Sequence, residues 1–246
     1  MKIRFLGTMG WYDTKLGNTL CVLADTAQAY VIFDCGGGFY KLDGYIKENK
    51  PVIVLLSHFH LDHIIGLHAL AKFNFKQGIR ILGPGGIKKL FSVIINQPYS
   101  MAISKLKTKI TVQEFSNGLK LPVGITYKKL RHVGACYGYR LSAEGKSVVF
   151  CTDTGLCKNL GLLAKGADLL ITESSLPVGK IDNSWPHLNP QQAALIAKQG
   201  KVKKLCLAHF DSGVYLSEND IRQAGLAARK IFPDTVAARD GYSLQL

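Results

Sequence analysis

No stretch of the sequence is apolar for the roughly 18 residues that a membrane-spanning helix requires, so the chain is not expected to cross a bilayer. The opening Met1-Lys2-Ile3-Arg4-Phe5-Leu6-Gly7 is too short, and too soon interrupted by glycine, to read as a signal peptide. The sequence also lacks the cysteine pattern of a disulfide or thiolate-metal framework. Cys21, Cys35, Cys136, Cys151, Cys157 and Cys206 form no C-x-x-C pair, and most sit inside apolar runs. They read as buried small hydrophobes in a reducing compartment, and the protein is expected to be cytoplasmic. Linkers, low-complexity tracts and short-period repeats are missing, and no segment is depleted of apolar residues, which excludes a disordered chain. With 246 residues, 47% of them hydrophobic, the chain can bury one large core or two small ones. It is read as one domain, 1–246.

Acidic residues are scarce. Seventeen Asp and Glu stand against 31 Lys and Arg, a formal charge of +14. The excess is uneven: from Lys72 to Arg131 there are twelve basic residues and one acid, Glu114. Such a field attracts polyanions and anionic substrates. A merely soluble, lysine-rich surface has the same composition, and composition alone leaves the two readings equal.

Strands and helices alternate through most of the chain. Residues 2–6, 19–24 and 29–34 read as strands, being short, β-branched or aromatic, and bounded by turn residues. Val52-Ile53-Val54-Leu55-Leu56 is a continuous apolar run, which suits a strand buried on both faces. Residues 62–73 read as a helix, 79–82 as a strand and 87–95 as a helix. The middle is strand-rich, at 108–115, 125–131, 136–142 and 147–151. Helical patterns return at 156–164, 189–199 and 217–230, with strands at 168–172, 203–207 and 242–245.

The strongest chemical signal follows the buried strand. His58, His60, Asp62 and His63 fall in the loop outside its carboxyl end, where open α/β sheets place their ligands. His58 and His60 are two apart in extended backbone and point the same way. Four imidazole or carboxylate groups so close together are costly unless something pairs with them, and zinc accepts both donor types. They are too many for one open tetrahedral site and suit two adjacent metals.

Ser57-His58-Phe59-His60-Leu61-Asp62-His63 resembles the signature of the metallo-β-lactamase superfamily, and the order of later residues is similar too. Asp34 resembles the aspartate that braces the metal loop, His132 the third-motif histidine, Asp153 the bridging carboxylate and His209 the final histidine. Alone, Asp153 reads as a turn or N-cap residue, and His132 and His209 as ordinary histidines. The resemblance implies an α/β fold, a four-layered αβ/βα sandwich, holding two Zn²⁺ with Mn²⁺ able to substitute. One metal would take His58, His60 and His132, the other Asp62, His63 and His209, with Asp153 and a water or hydroxide nucleophile between them. Histidine at position 60 argues against the di-iron flavoprotein branch, and aspartate at 153 against the true β-lactamases.

Further stretches resemble ribonuclease Z and its phosphodiesterase relatives: Phe5-Leu6-Gly7-Thr8-Met9-Gly10, Gly17-Asn18-Thr19-Leu20-Cys21 and Ile81-Leu82-Gly83-Pro84-Gly85-Gly86-Ile87. More specific are Glu173, in Thr172-Glu173-Ser174-Ser175, and His187, before Leu188-Asn189-Pro190. By that resemblance, Glu173, His187 and Asp62 serve catalysis, with His187 protonating the leaving oxygen and Glu173 charging its imidazole. His68 is read as structural. The long basic arm with which ribonuclease Z grips tRNA is missing: Asp153 lies only 21 residues beyond His132. The implied partner is a phosphodiester, small molecule or RNA; a homodimer is left open. The competing readings are a thioester or lactone hydrolase and a metal-stabilised nucleic-acid-binding protein.

Overall fold

Alternation of side chains along each strand decides how the layers assemble. In the strand Tyr30–Phe33, Val31 and Phe33 enter one buried cluster, while Tyr30 and Ile32 enter another on the opposite face. The computed structural model describes residues 1–115 and 119–246. Among them a seven-stranded sheet runs in the order Ser243–Gln245, Lys2–Gly7, Cys21–Asp25, Tyr30–Phe33, Val52–Leu55, Ile79–Gly83, Ile110–Glu114. A six-stranded sheet runs Thr235–Ala237, Lys204–Ala208, Leu169–Glu173, Lys146–Cys151, Tyr137–Ala143, Gly124–Lys129.

The two sheets bury their inner faces against each other. Phe33 stacks on Phe150 across the interface at 4.9 Å, a contact worth about 0.5–1.5 kcal/mol beyond its buried area. The outer face of the first sheet is covered by the 3₁₀ segments Gly37–Gly44 and Ile65–Lys72 and the helix Ile87–Ile94, through Phe39, Leu67 and Phe91. The outer face of the second is covered by helices Lys158–Ala164, Pro190–Gln199 and Glu218–Arg229. Small side chains (Ala193, Ala197, Ala224, Ala228) bring the last two close to the sheet. This is the αβ/βα sandwich expected from the sequence.

Both of these helices begin with a reciprocal capping box, Asn189 with Gln192 and Ser217 with Asp220, which satisfies amide groups the helix leaves unpaired. The expected helix over 62–73 is instead one α turn, Leu61–Ile64, followed by the 3₁₀ segment. Gly66 N–H donates to Cys35 O at 2.8 Å rather than to a carbonyl one turn back, and a Cβ there would meet Gly36 O at 2.2 Å. Docking of this backbone against the Asp34 turn overrides helical propensity. The parallel pairing of Met9–Gly10 with Phe210–Asp211, and the strand Thr235–Ala237, were not foreseen.

The parallel strands deliver their carboxyl ends to one edge. There Asp34, Asp153 and His209 adopt left-handed backbone conformations, with φ of 58°, 49° and 50°. Such conformations are uncommon outside glycine and turn the chain sharply at the strand end.

Candidate metal centre and its acid pair

Asp34 is fully buried and anchors the loop that follows Val52–Leu55. It accepts from Ser57 N–H at 2.7 Å, Ser57 Oγ at 2.8 Å and His63 Nδ1 at 2.7 Å. Because Ser57 Oγ donates to Asp34, it accepts from His58 Nδ1 at 3.0 Å. Ser175 Oγ likewise donates to His209 O at 3.0 Å and so accepts from His209 Nδ1 at 2.9 Å. These bonds place a proton on Nδ1 of His58, His63 and His209, which leaves Nε2 as the atom each ring can offer to a metal. His58 Nε2 is buried without a hydrogen-bond partner.

Two donor sets meet on Asp153. In the first, Asp153 Oδ1 lies 3.9 Å from both His58 Nε2 and His132 Nε2, and His132 Nε2 lies 3.4 Å from His60 Nδ1. In the second, His63 Nε2 lies 3.1 Å from His209 Nε2, 3.1 Å from Asp153 Oδ2 and 3.3 Å from Asp62 Oδ2. His209 Nε2 is 3.1 Å from Asp62 Oδ2 and 3.2 Å from Asp153 Oδ2. Tetrahedral zinc with bonds of about 2.0–2.1 Å sets its ligands about 3.3–3.4 Å apart. The second set therefore has the span of one tetrahedral site, and the first is looser. In both, ring nitrogens and carboxylate oxygens gather within a few ångströms, as the ligands of a cation would. All seven side chains named from the sequence are gathered here.

The electrostatics split along the same line. Burial pushes the His63 imidazole down, but Asp62, Asp153 and Asp34 outweigh it and hold it well above the usual histidine range. At His58 burial and the His63 charge win over Asp153, and the ring is held low. Burial raises Asp153 and Asp62, yet the histidines around them keep both carboxylates well below their ordinary range. The carboxylates are thus ready as anionic ligands.

Glu173, fully buried at the end of its strand, lies beside this centre. Its oxygens both lie 2.9 Å from His187 Nδ1, and it also accepts Thr154 N–H at 2.5 Å and Leu188 N–H at 3.1 Å. Burial lowers His187, but Glu173 more than reverses it and the imidazole is pushed up to about 9. The His187 ring is 5.1 Å from that of His132 and 6.1 Å from that of His209. Its Nε2 is the free end of the pair, and both residues meet as the sequence suggested.

These groups border a cleft of about 320 Å³ that includes Gly10, Trp11, Ser175, Trp185 and Asp211. None of its lining residues is lysine or arginine, but Arg131, at the end of the basic 72–131 stretch, brings its Nη1 beside Gly155 and Pro186, next to Trp185. His68 is exposed and bonds only to Ile65 O. Sequence reasoning missed Ser175, which orients His209, and Trp11, whose N–H donates to Asp62 Oδ2 at 2.9 Å. It also missed Gly10, where a Cβ would lie 2.5 Å from His209 Cε1. The Thr172-Glu173-Ser174-Ser175 and Thr8-Met9-Gly10 stretches had been singled out, but nothing local ties them to His209.

The family profile described as the Beta-lactamase superfamily domain matches residues 30–210, about three quarters of the chain. The chain belongs to this superfamily. Ribonuclease Z of Bacillus licheniformis is 26% identical over 306 aligned positions, covering 100% of this chain and 99% of the relative. The alignment is longer than these 246 residues, so that relative carries stretches this chain lacks. Probable metallo-hydrolase YhfI of Bacillus subtilis is 28% identical over 85% of this chain and 87% of its own. The crystal structure of YhfI superposes with a TM-score of 0.81 at 25% identity, covering 99% of this chain and 98% of that one. Human tRNase Z, short form, gives 0.76 at 21% identity over 100% and 99%, a likeness of fold. Within the superfamily the chain is a metal-dependent hydrolase of the ribonuclease Z-like kind. No helix among the described residues is long and apolar enough to cross a membrane.

Proposed function

We propose that this superfamily member is a dinuclear zinc phosphodiesterase, with manganese able to substitute, acting on a small phosphodiester or an RNA end. One observation carries the reading: two donor sets lie on the two oxygens of Asp153, and the Glu173–His187 pair stands beside them. His58, His60 and His132 would hold one ion, and Asp62, His63 and His209 the other. When bound, two divalent cations neutralise charge on the phosphate and supply hydroxide from water near neutral pH.

The chain's own residues do the rest. Asp34 and Ser175 hold the ligating rings in the required tautomer. Asp153 serves both sets through separate oxygens. Glu173 keeps His187 protonated, so that its Nε2 donates a proton to the departing alkoxide. That acid is superfluous for a thioester or lactone with a better leaving group, which weighs against a hydrolase of those substrates. A tRNA substrate is disfavoured by the short connection between His132 and Asp153 and by the extra length of the ribonuclease Z relative. All six cysteines are free, in keeping with a reducing, cytoplasmic setting, and we treat 1–246 as one domain.

The test is a single zinc-loaded preparation offered bis(p-nitrophenyl) phosphate, cyclic nucleotides, pre-tRNA and a thioester. Turnover of phosphodiesters with weak or no 3′ processing of pre-tRNA is expected. Efficient pre-tRNA cleavage would reverse the substrate assignment, and turnover of the thioester alone would overturn the phosphodiesterase.

A further inference from the structure

The sequence has two tryptophans, and both line the cleft beside the donor sets. Trp11 is 67% exposed and Trp185 49% exposed. Large aromatic rings left in water beside polar groups need a reason. Neither ring is loose. Trp185 lies parallel to His60, with 6° between planes and 6.1 Å between centroids, and its edge meets His132 at 5.9 Å. Its backbone is held by Asp182, which accepts from Ser184 N–H at 2.8 Å and from Trp185 N–H at 3.2 Å. Trp11 is tied to Asp62 through its N–H, and its ring covers Gly213 and meets Tyr12 at 5.0 Å.

The rest of the lining narrows what these rings meet. The lining itself carries no lysine or arginine and includes another carboxylate, Asp211. A flat, uncharged aromatic group flanking one phosphate finds the indole faces, and such stacking does not depend on hydrogen-bond readout. Aromatic faces also attract quaternary ammonium groups, but a cationic head would be repelled by two divalent ions bound a few ångströms away.

We infer that Trp185, assisted by Trp11, stacks a nucleobase, so that the substrate is a nucleoside carrying a phosphodiester rather than a simple alkyl diester. This rests on the phosphodiesterase reading, and it makes Trp185 a residue that sets specificity rather than one that performs chemistry.

Because both tryptophans line the cleft, tryptophan fluorescence, excited beyond the absorption of the ten tyrosines, reports on it. The experiment titrates zinc-loaded protein with three monoesters, AMP, ribose 5-phosphate and phosphocholine, following quenching and measuring affinity by calorimetry. AMP is expected to quench and to bind about tenfold tighter than ribose 5-phosphate, the size of one base stack. Trp185→Ala should erase that advantage with zinc content unchanged, and Trp185→Phe should keep most of it. Equal affinity for AMP and ribose 5-phosphate would overturn the inference. So would an undiminished AMP advantage in Trp185→Ala, or a preference for phosphocholine. Binding is read without turnover, so an AMP preference in a protein that hydrolyses no diester would refute the phosphodiesterase and leave the stacking site standing.

Discussion

His63 and His209 direct their Nε2 atoms at each other across 3.1 Å, while their Nδ1 atoms are committed to Asp34 and Ser175. With both rings neutral the two Nε2 lone pairs would face each other, and the carboxylate oxygens of Asp62 and Asp153 close the same small space. Without a cation this corner is held together only by taking up protons. Stripping the metals should therefore destabilise the fold. Zinc at a hundred times its dissociation constant contributes about 2.7 kcal/mol per site, and each kcal/mol moves Tm by roughly 2–4 °C in a chain of this size. Two sites make that about 5.4 kcal/mol, so a fall in Tm on the order of 10–20 °C after chelation is expected by calorimetry, with recovery on adding zinc; an unchanged Tm would count against both sites.

Asp34 touches no metal in this arrangement, yet it holds Ser57 and His63 and, through Ser57, His58. Asp34→Asn keeps the shape and tolerates the left-handed backbone, but loses the charge and one acceptor oxygen. Zinc affinity, measured by competition with a chelating dye, should fall about 10–100-fold, the usual cost of removing such a support.

Gly10 tests the side facing His209. A methyl group there would overlap the imidazole, lying 2.7 Å from Nδ1, so Gly10→Ala must displace the ring. The variant should bind its second zinc at least about tenfold more weakly, measured as ions retained per chain on dialysis. Wild-type retention would show that the ring has room to spare.

The metal-binding half of this site was legible in the sequence because its chemistry is local. His58, His60, Asp62 and His63 crowd one loop, and Asp153 and His209 each follow a recognisable buried strand. What was illegible depends on contacts between distant segments. Gly10 and Trp11 matter only because Met9–Gly10 pairs with Phe210–Asp211 some two hundred residues away. Ser175 acquires its role only when its strand lies beside Lys204–Ala208. The helix expected over 62–73 failed for the same reason, since Gly66 bonds to Cys35 instead of continuing its own turn.

The acid role of His187 makes a graded prediction. His187→Ala should keep its zinc and lose roughly 10²–10⁴ in turnover of alkyl phosphodiesters, with a smaller loss for p-nitrophenyl esters, whose leaving group needs little protonation. The working form is the protonated one, so the wild-type rate on alkyl esters should fall as pH rises. Glu173 lifts the pKa to about 9, and two bound cations push it back down, so that limb lies no higher than about 9 and vanishes in His187→Ala. Equal losses on both ester types would reduce His187 to a packing residue.

Two ions sharing Asp153 are best tested by counting them against rate. Protein stripped by a chelator is titrated with zinc while hydrolysis of bis(p-nitrophenyl) phosphate is followed. The stripped protein should be silent and the rate should rise until two equivalents per chain are bound. Full activity without metal, or saturation at one equivalent, would contradict the dinuclear centre.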